Sequence, residues 1–138
     1  MRKKPSMSRM RKLAWGQFSL YVRRKDADKN GIVSCVTCGA KGHYTKMHAG
    51  HFIHGVTKQT YLDERNVHPQ DVKCNMYLSG NLIEYTAYMR TRYGWETIDH
   101  LRELSHQVIK HNREYYETII NLYKNLLEQL DGIHPKEM

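Results

Sequence analysis

What this 138-residue chain lacks narrows its class before any motif is read. No run of about 18 apolar residues occurs, and no apolar stretch follows the basic N-terminus. Neither a membrane-spanning helix nor a secretory leader is therefore expected. There are three cysteines, an odd number, and two of them form the C-x-x-C of Cys35-Val36-Thr37-Cys38. That argues against a disulfide framework and for metal ligation in a reducing, cytoplasmic compartment. No internal repeat or low-complexity tract is visible, which removes repeat architectures from consideration.

Acidic residues are also in short supply. Asp plus Glu number 14 against 22 Lys plus Arg, a formal charge of +8. An excess of this kind favours a polyanionic partner through phosphate neutralisation and counterion release, with nucleic acid the obvious candidate and a basic protein without a specific partner the bland alternative. The length suits one domain, able to bury roughly two thirds of its unfolded surface.

Residues 1–7 are basic, contain Pro5 and read as an arm. From Ser8 to about residue 27 the period is helical, with Ala14 or Trp15, Phe18, Tyr21 and Val22 on one face and Arg9, Lys12, Ser19 and Arg23 on the other. Arg9, Lys12, Arg23 and Arg24 are the expected DNA-backbone contacts; a solvated polar face is the bland alternative. Asp28-Lys29-Asn30-Gly31 reads as a turn, Ile32-Val33-Ser34 as a strand and Cys38-Gly39-Ala40-Lys41-Gly42 as a metal-knuckle turn. A strand is expected over 47–53, a loop and return over 63–68, and a helix from Asp71. Helices follow over 82–92, 95–105 and about 105–130. In the last, Ile109, Asn112, Tyr116, Ile119, Tyr123, Leu126 and Leu130 form a seam that fits either a homodimer or the chain's own core.

Two groups of residues carry chemistry. Cys35, Cys38 and Cys74 offer three thiolates to a structural zinc, and Asp71 stands three before Cys74, where a second C-x-x-C would place its first cysteine. Asp71 is the expected fourth ligand, with His68 as its competitor. Interleaved with them, His51, Asn66 and Asn75 lie 15 and then 9 residues apart. His51 suits a general base that activates water against a phosphodiester, and Asn66 a loop-pinning amide. Asn75 suits an oxygen ligand for Mg2+ or Mn2+. The residue before His51 is Gly50, which has no side chain to ligate. His48, on the same strand face as position 50, is the expected replacement, with His54 less well placed. His43, His100, His106, His111 and His134 read as surface or packing residues, and Arg65 and Lys73 as surface charges that could touch phosphate.

Longer motifs make the match specific: Ala14-Trp15-Gly16-Gln17-Phe18-Ser19, Tyr21-Val22-Arg23-Arg24-Lys25-Asp26-Ala27, Cys35-Val36-Thr37-Cys38-Gly39, Ala49-Gly50-His51-Phe52, Asp63-Glu64-Arg65-Asn66-Val67-His68-Pro69-Gln70, and Cys74-Asn75 with Leu78-Ser79-Gly80-Asn81. Over residues 8–104 the chain resembles the NinG/Rap recombination proteins of lambdoid phages and prophages. The resemblance implies an HNH endonuclease, selective for branched recombination intermediates such as D-loops and Holliday junctions, in the cytoplasm of a bacterial host. His51, Asn66 and Asn75 take the motif positions. Asp71 stands where the family pattern has cysteine, and the N-terminus is shorter than in members with an extra segment there.

The expected fold is α+β, mainly helical, in a single domain. A zinc-stabilised ββα-metal (His-Me finger) unit over 32–80 is flanked by an N-terminal helix over 8–27 and a C-terminal helical region over 81–138. Two other functions fit the same residues: a zinc-stabilised DNA-binding protein without nuclease activity, and an HNH endonuclease acting on ordinary duplex DNA.

Overall fold

A computed structural model of the chain describes residues 3–133. His134 and the other residues of 134–138, like the first two of the basic arm, lie outside them. Helix α1 spans Met7–Arg24. Its start is set by Ser6, whose hydroxyl accepts the Arg9 amide at 3.1 Å, so the cap lies two residues before Ser8. Arg23 and Arg24 in the last turn suit the negative end of the helix dipole. The helix stops short of residue 27 because the chain turns at once: Asp28 Oδ1 accepts the amides of Asn30 and Ile32 at 2.8 and 3.0 Å. Ser19, expected on the polar face, is buried.

Two small antiparallel sheets follow. Strands β1 (Ile32–Ser34) and β2 (Lys41–His43) form one. Strands β3 (His48–His51) and β4 (Val67–Gln70) form the other, with His48 opposite Gln70 and His51 opposite Val67. The Val36 amide donates to the Pro69 carbonyl at 3.0 Å and ties the chain after β1 to β4. The strand expected over 47–53 is shorter because the Asn66 side chain, not a ladder partner, takes the Ile53 amide. The helix expected from Asp71 is a single π-helical turn, Lys73–Tyr77. Three successive positive φ values, at Ser79 (49°), Gly80 (93°) and Asn81 (49°), then swing the chain into α2, Leu82–Arg92. Helix α3 spans Trp95–Ser105.

The long helix expected from about residue 105 does not form. Beyond Ser105, Val108 bridges to Lys58 and the Ile109 amide donates to the Thr57 carbonyl at 3.2 Å. Helix α4 begins only at Arg113 and runs to Ile133, with the Asn112 side chain capping the Tyr115 amide at 2.9 Å. Ile109 and Asn112 are therefore not part of its apolar face.

The chain divides into two compact units, Val22–Ile109 and the residues up to Tyr21 with those from Lys110 on. In the terminal unit Met10, Ala14 and Phe18 of α1 and Tyr116, Tyr123 and Leu127 of α4 are buried, and Tyr123 meets Phe18 edge-on at 5.0 Å. The central unit has two apolar clusters. Val33, Cys35, Met47 and Cys74 form one, and Tyr85, Met89, Ile98 and Leu101 the other, against which Phe52 and Ile53 pack. Full burial of Met89 and Leu101 contributes about 2 kcal/mol each. The architecture is mixed α+β and mainly helical. No helix among the described residues is long and apolar enough to cross a membrane.

Candidate functional site

Cys35, Cys38, Asp71 and Cys74 converge, their ligand atoms all within 4.8 Å of one another. Cys35 and Cys38 come from the turn after β1, where the Gly39 amide closes onto the Cys35 carbonyl at 2.9 Å and Gly39 takes a φ of +79°. Asp71 follows β4, and Cys74 lies in the π turn. A tetrahedral zinc holds sulfur at about 2.3 Å and carboxylate oxygen at about 2.1 Å, a span that this set meets with small side-chain adjustments. The residues fit a structural metal, and three thiolates favour a soft ion.

Hydrogen bonds prepare the ligands. Asp71 Oδ1 accepts the Cys74 amide at 2.8 Å, and Oδ2 accepts the Cys38 thiol at 3.1 Å. The Cys74 amide, first, and then Cys38 hold the Asp71 carboxyl below its ordinary range. The shared proton pushes the Cys38 thiol up to about 12. Burial pushes Cys35 up, but the Thr37 hydroxyl and the amides of Asp71, Thr37 and Cys38 outweigh it and leave the thiol below its usual value. The Asn81 side chain donates from Nδ2 to the Cys74 sulfur at 3.6 Å. The Cys38 proton lies among the ligand atoms, so a metal bound there would release it and would bind more tightly as pH rises.

His68 is not in this cluster. It is buried beneath α2, with Nδ1 2.9 Å from the Tyr85 hydroxyl and Nε2 2.8 Å from the Tyr93 hydroxyl. Of the two residues weighed for the fourth position, Asp71 is the one placed there.

His51 ends β3, with Nε2 2.9 Å from the Tyr61 carbonyl oxygen. A carbonyl only accepts, so Nε2 carries the proton and Nδ1 is the basic nitrogen. The imidazole stacks on the Tyr61 ring, centroids 4.9 Å apart and planes 9° from parallel, and the His54 ring lies 6.3 Å away. Burial lowers the His51 pKa below 6.5 against the pull of the Tyr61 carbonyl, and His54 lowers it further. The ring is therefore neutral at pH 7.

Asn66, wholly buried, accepts the Ile53 amide at 2.9 Å and donates to the carbonyls of Ile53 and Thr60 at 2.9 and 3.0 Å. It thereby fixes the loop whose next residue, Tyr61, presents its carbonyl to His51. Asn75 and His48 touch, amide nitrogen to Nδ1, at 2.9 Å. Gly50 is packed against β4: a Cβ there would collide with Gln70 Oε1. Gln70 is fully buried, donates to the Gly80 carbonyl at 2.9 Å and the Thr37 hydroxyl at 3.2 Å, and leaves Oε1 without a hydrogen-bond partner among the described residues.

The basic residues divide. Arg9 and Lys12 are exposed on α1. Arg23 donates to the Tyr44 carbonyl at 3.2 Å, and the Arg24 guanidinium lies 5.7 Å over the Tyr44 ring. Arg65 pairs with Asp63 at 2.7 Å. Tyr61, Gln70, Tyr85 and Tyr93 were not singled out by the sequence. Tyr61 acts through its backbone carbonyl, and the others through partners distant in the chain.

A family model described as "Bacteriophage Lambda NinG protein" matches residues 2–132. The chain is similar to Protein ninG of Escherichia phage 933W, 32% identical over 111 residues that make up 80% of this chain and 52% of that protein. Protein ninG of Escherichia phage lambda and of Salmonella phage P22 are each 31% identical, with the same coverage. The chain thus spans about half the length of the curated relatives it matches. No solved structure matches.

Proposed function

We propose a function from one premise: the chain belongs to the NinG family of phage proteins. It is, on our reading, a metal-dependent endonuclease of the His-Me finger (HNH) type that cuts branched recombination intermediates, D-loops and Holliday junctions among them. The observation that carries this reading is the tautomer of His51. The Tyr61 carbonyl holds the proton on Nε2, and burial keeps the ring neutral, so Nδ1 is a base poised to take a proton from water as the oxygen attacks phosphorus. Asn66 fixes the loop that supplies that carbonyl. His48 and Asn75 would hold a Mg2+ or Mn2+ ion, which when bound stabilises charge on the phosphoryl and leaving oxygens. Cys35, Cys38, Asp71 and Cys74 would hold a structural zinc. Exposed Arg9 and Lys12 would track the DNA backbone.

A second reading has a specific observation behind it. With Gly50 before the base and Gln70 filling the space its side chain would need, the chain would be a zinc-stabilised DNA-binding protein without cleavage. One experiment separates the two. A four-way junction and a matched linear duplex are incubated with the chain in Mg2+ or Mn2+, beside His51→Ala. We expect nicks in the junction first. The variant should bind as before but cut about 100-fold or more slowly, the scale of a lost general base. Junction bound without nicking would favour the binding protein, equal cutting of both DNAs an endonuclease for ordinary duplex, and undiminished cutting by His51→Ala would refute the assignment.

A further inference from the structure

Behind β3 runs a line of hydrogen bonds whose direction follows from counting protons. Tyr85, fully buried on α2, donates its hydroxyl to the Gly50 carbonyl at 2.7 Å. A phenol has one proton to give, so the 2.9 Å contact with His68 must run from Nδ1–H to the Tyr85 oxygen. Nε2 of a neutral His68 then carries a lone pair, which takes the Tyr93 hydroxyl proton at 2.8 Å. Each member thus donates to the next, in the order Tyr93, His68, Tyr85, Gly50. Burial first, then Lys25 and Arg92, push His68 down to about 3, so the ring stays neutral and the order holds at neutral pH. Tyr88 and Tyr85 flank the imidazole edge-on, at 5.1 and 5.8 Å.

The line ends on the peptide that joins Gly50 to His51. Gly50 sits in the ladder opposite His68, and the Tyr85 hydroxyl adds a side-chain restraint to the backbone order that the sheet provides. Rotation there would swing the His51 ring off the Tyr61 carbonyl. Gln70 walls the Gly50 Cα on one side, and the Tyr85 hydroxyl restrains its carbonyl.

We propose that Tyr93, His68 and Tyr85 are positioning residues that fix the Gly50–His51 peptide and thereby aim the His51 imidazole. This rests on the reading of His51 as the general base. The test compares the intact chain with Tyr85→Phe, His68→Phe and His68→Gln, using two readouts: the ring nitrogen signals of His51 by NMR, and kcat and KM for junction cleavage. Glutamine can offer an N–H to Tyr85 and an oxygen to Tyr93, the polarity that histidine has.

Both phenylalanine variants should disturb the His51 tautomer signals and lower kcat about 10-fold or more with KM unchanged, the scale of a misaimed group. His68→Gln should restore both. A folded Tyr85→Phe with wild-type His51 signals and wild-type kcat would overturn the proposal. If the unmodified chain does not cut, the nuclease reading fails, and the NMR arm alone decides positioning: moved His51 signals support it and unmoved ones overturn it. If Tyr85→Phe does not fold, Tyr93→Phe, at the half-buried end of the line, decides by the same readouts.

Discussion

The cysteine cluster and the end of β3 share a hairpin, with Gln70 serving one and Asp71, its neighbour, the other, yet they are held by opposite means. Around His51 most of the buried polar groups are neutral and, Gln70 Oε1 apart, find partners among themselves: Asn66 makes three backbone hydrogen bonds, and Tyr85, His68 and Tyr93 complete a chain. The cluster brings three sulfurs and a carboxylate into one place, where the Cys74 amide, the Cys38 proton and the charge of Lys73 favour the ionised Asp71. As ligands deprotonate they repel, so a cation bound among them would stabilise this region. One part of the molecule draws most of its polar partners from within itself, and the other presents a set of ligands that fits a cation.

The largest effect that could break this contrast is metal removal. Zinc in a structural site contributes on the order of 10 kcal/mol to folding. A chelator, or Cys35→Ser, is therefore expected to abolish the cooperative thermal melt of the central unit, and elemental analysis should find one zinc per chain. A melt indifferent to chelation would show the cluster to be as self-sufficient as the hairpin. Next, Asn66→Ala strands the Ile53 amide and the carbonyls of Ile53 and Thr60, and should cost about 3 kcal/mol in urea denaturation. A loss below half that would mean that water replaces the side chain and the rigidity is overstated.

The smallest effect is acid. Above pH 6.5 His68 is neutral folded or unfolded, and its shift changes nothing. Below 6.5 the unfolded chain takes a proton that the folded chain refuses until about pH 3, so stability falls as pH drops through that window. At pH 5 the loss is about 2 kcal/mol, and His68→Gln should flatten that part of the curve. A wild-type profile that already matches the glutamine variant would place His68 in contact with solvent.

The sequence made the cluster legible and the hairpin network mostly not. A C-x-x-C and an Asp-x-x-Cys restrict where four ligands can meet, and the spacing named Cys35, Cys38 and Cys74 and favoured Asp71 over His68 for the fourth position. Helix α1 was legible too, because burial of Ala14 and Phe18 imposes a period. His68 was read as a possible zinc ligand because its hydroxyl partners lie 17 and 25 residues away, beyond any local pattern. The Tyr61 carbonyl left no side-chain signal at all. Asn112 fell on an apolar seam by spacing, but its amide is spent capping α4, a role that binary patterning does not encode. Gly50 looked like a missing ligand; its fit against Gln70 needed the strand register to be seen.

That fit has a consequence for descent. A lineage that gained a carboxylate at position 50 while keeping Gln70 would force two side chains into one space. One that first shortened residue 70 would open a hole and release Thr37 and Gly80 from their shared donor. Each step alone is expected to cost more than the two together, so the positions are expected to vary jointly across β3 and β4. Among relatives, glycine at 50 is expected to travel with a long residue at 70, and an acid at 50 with a small one.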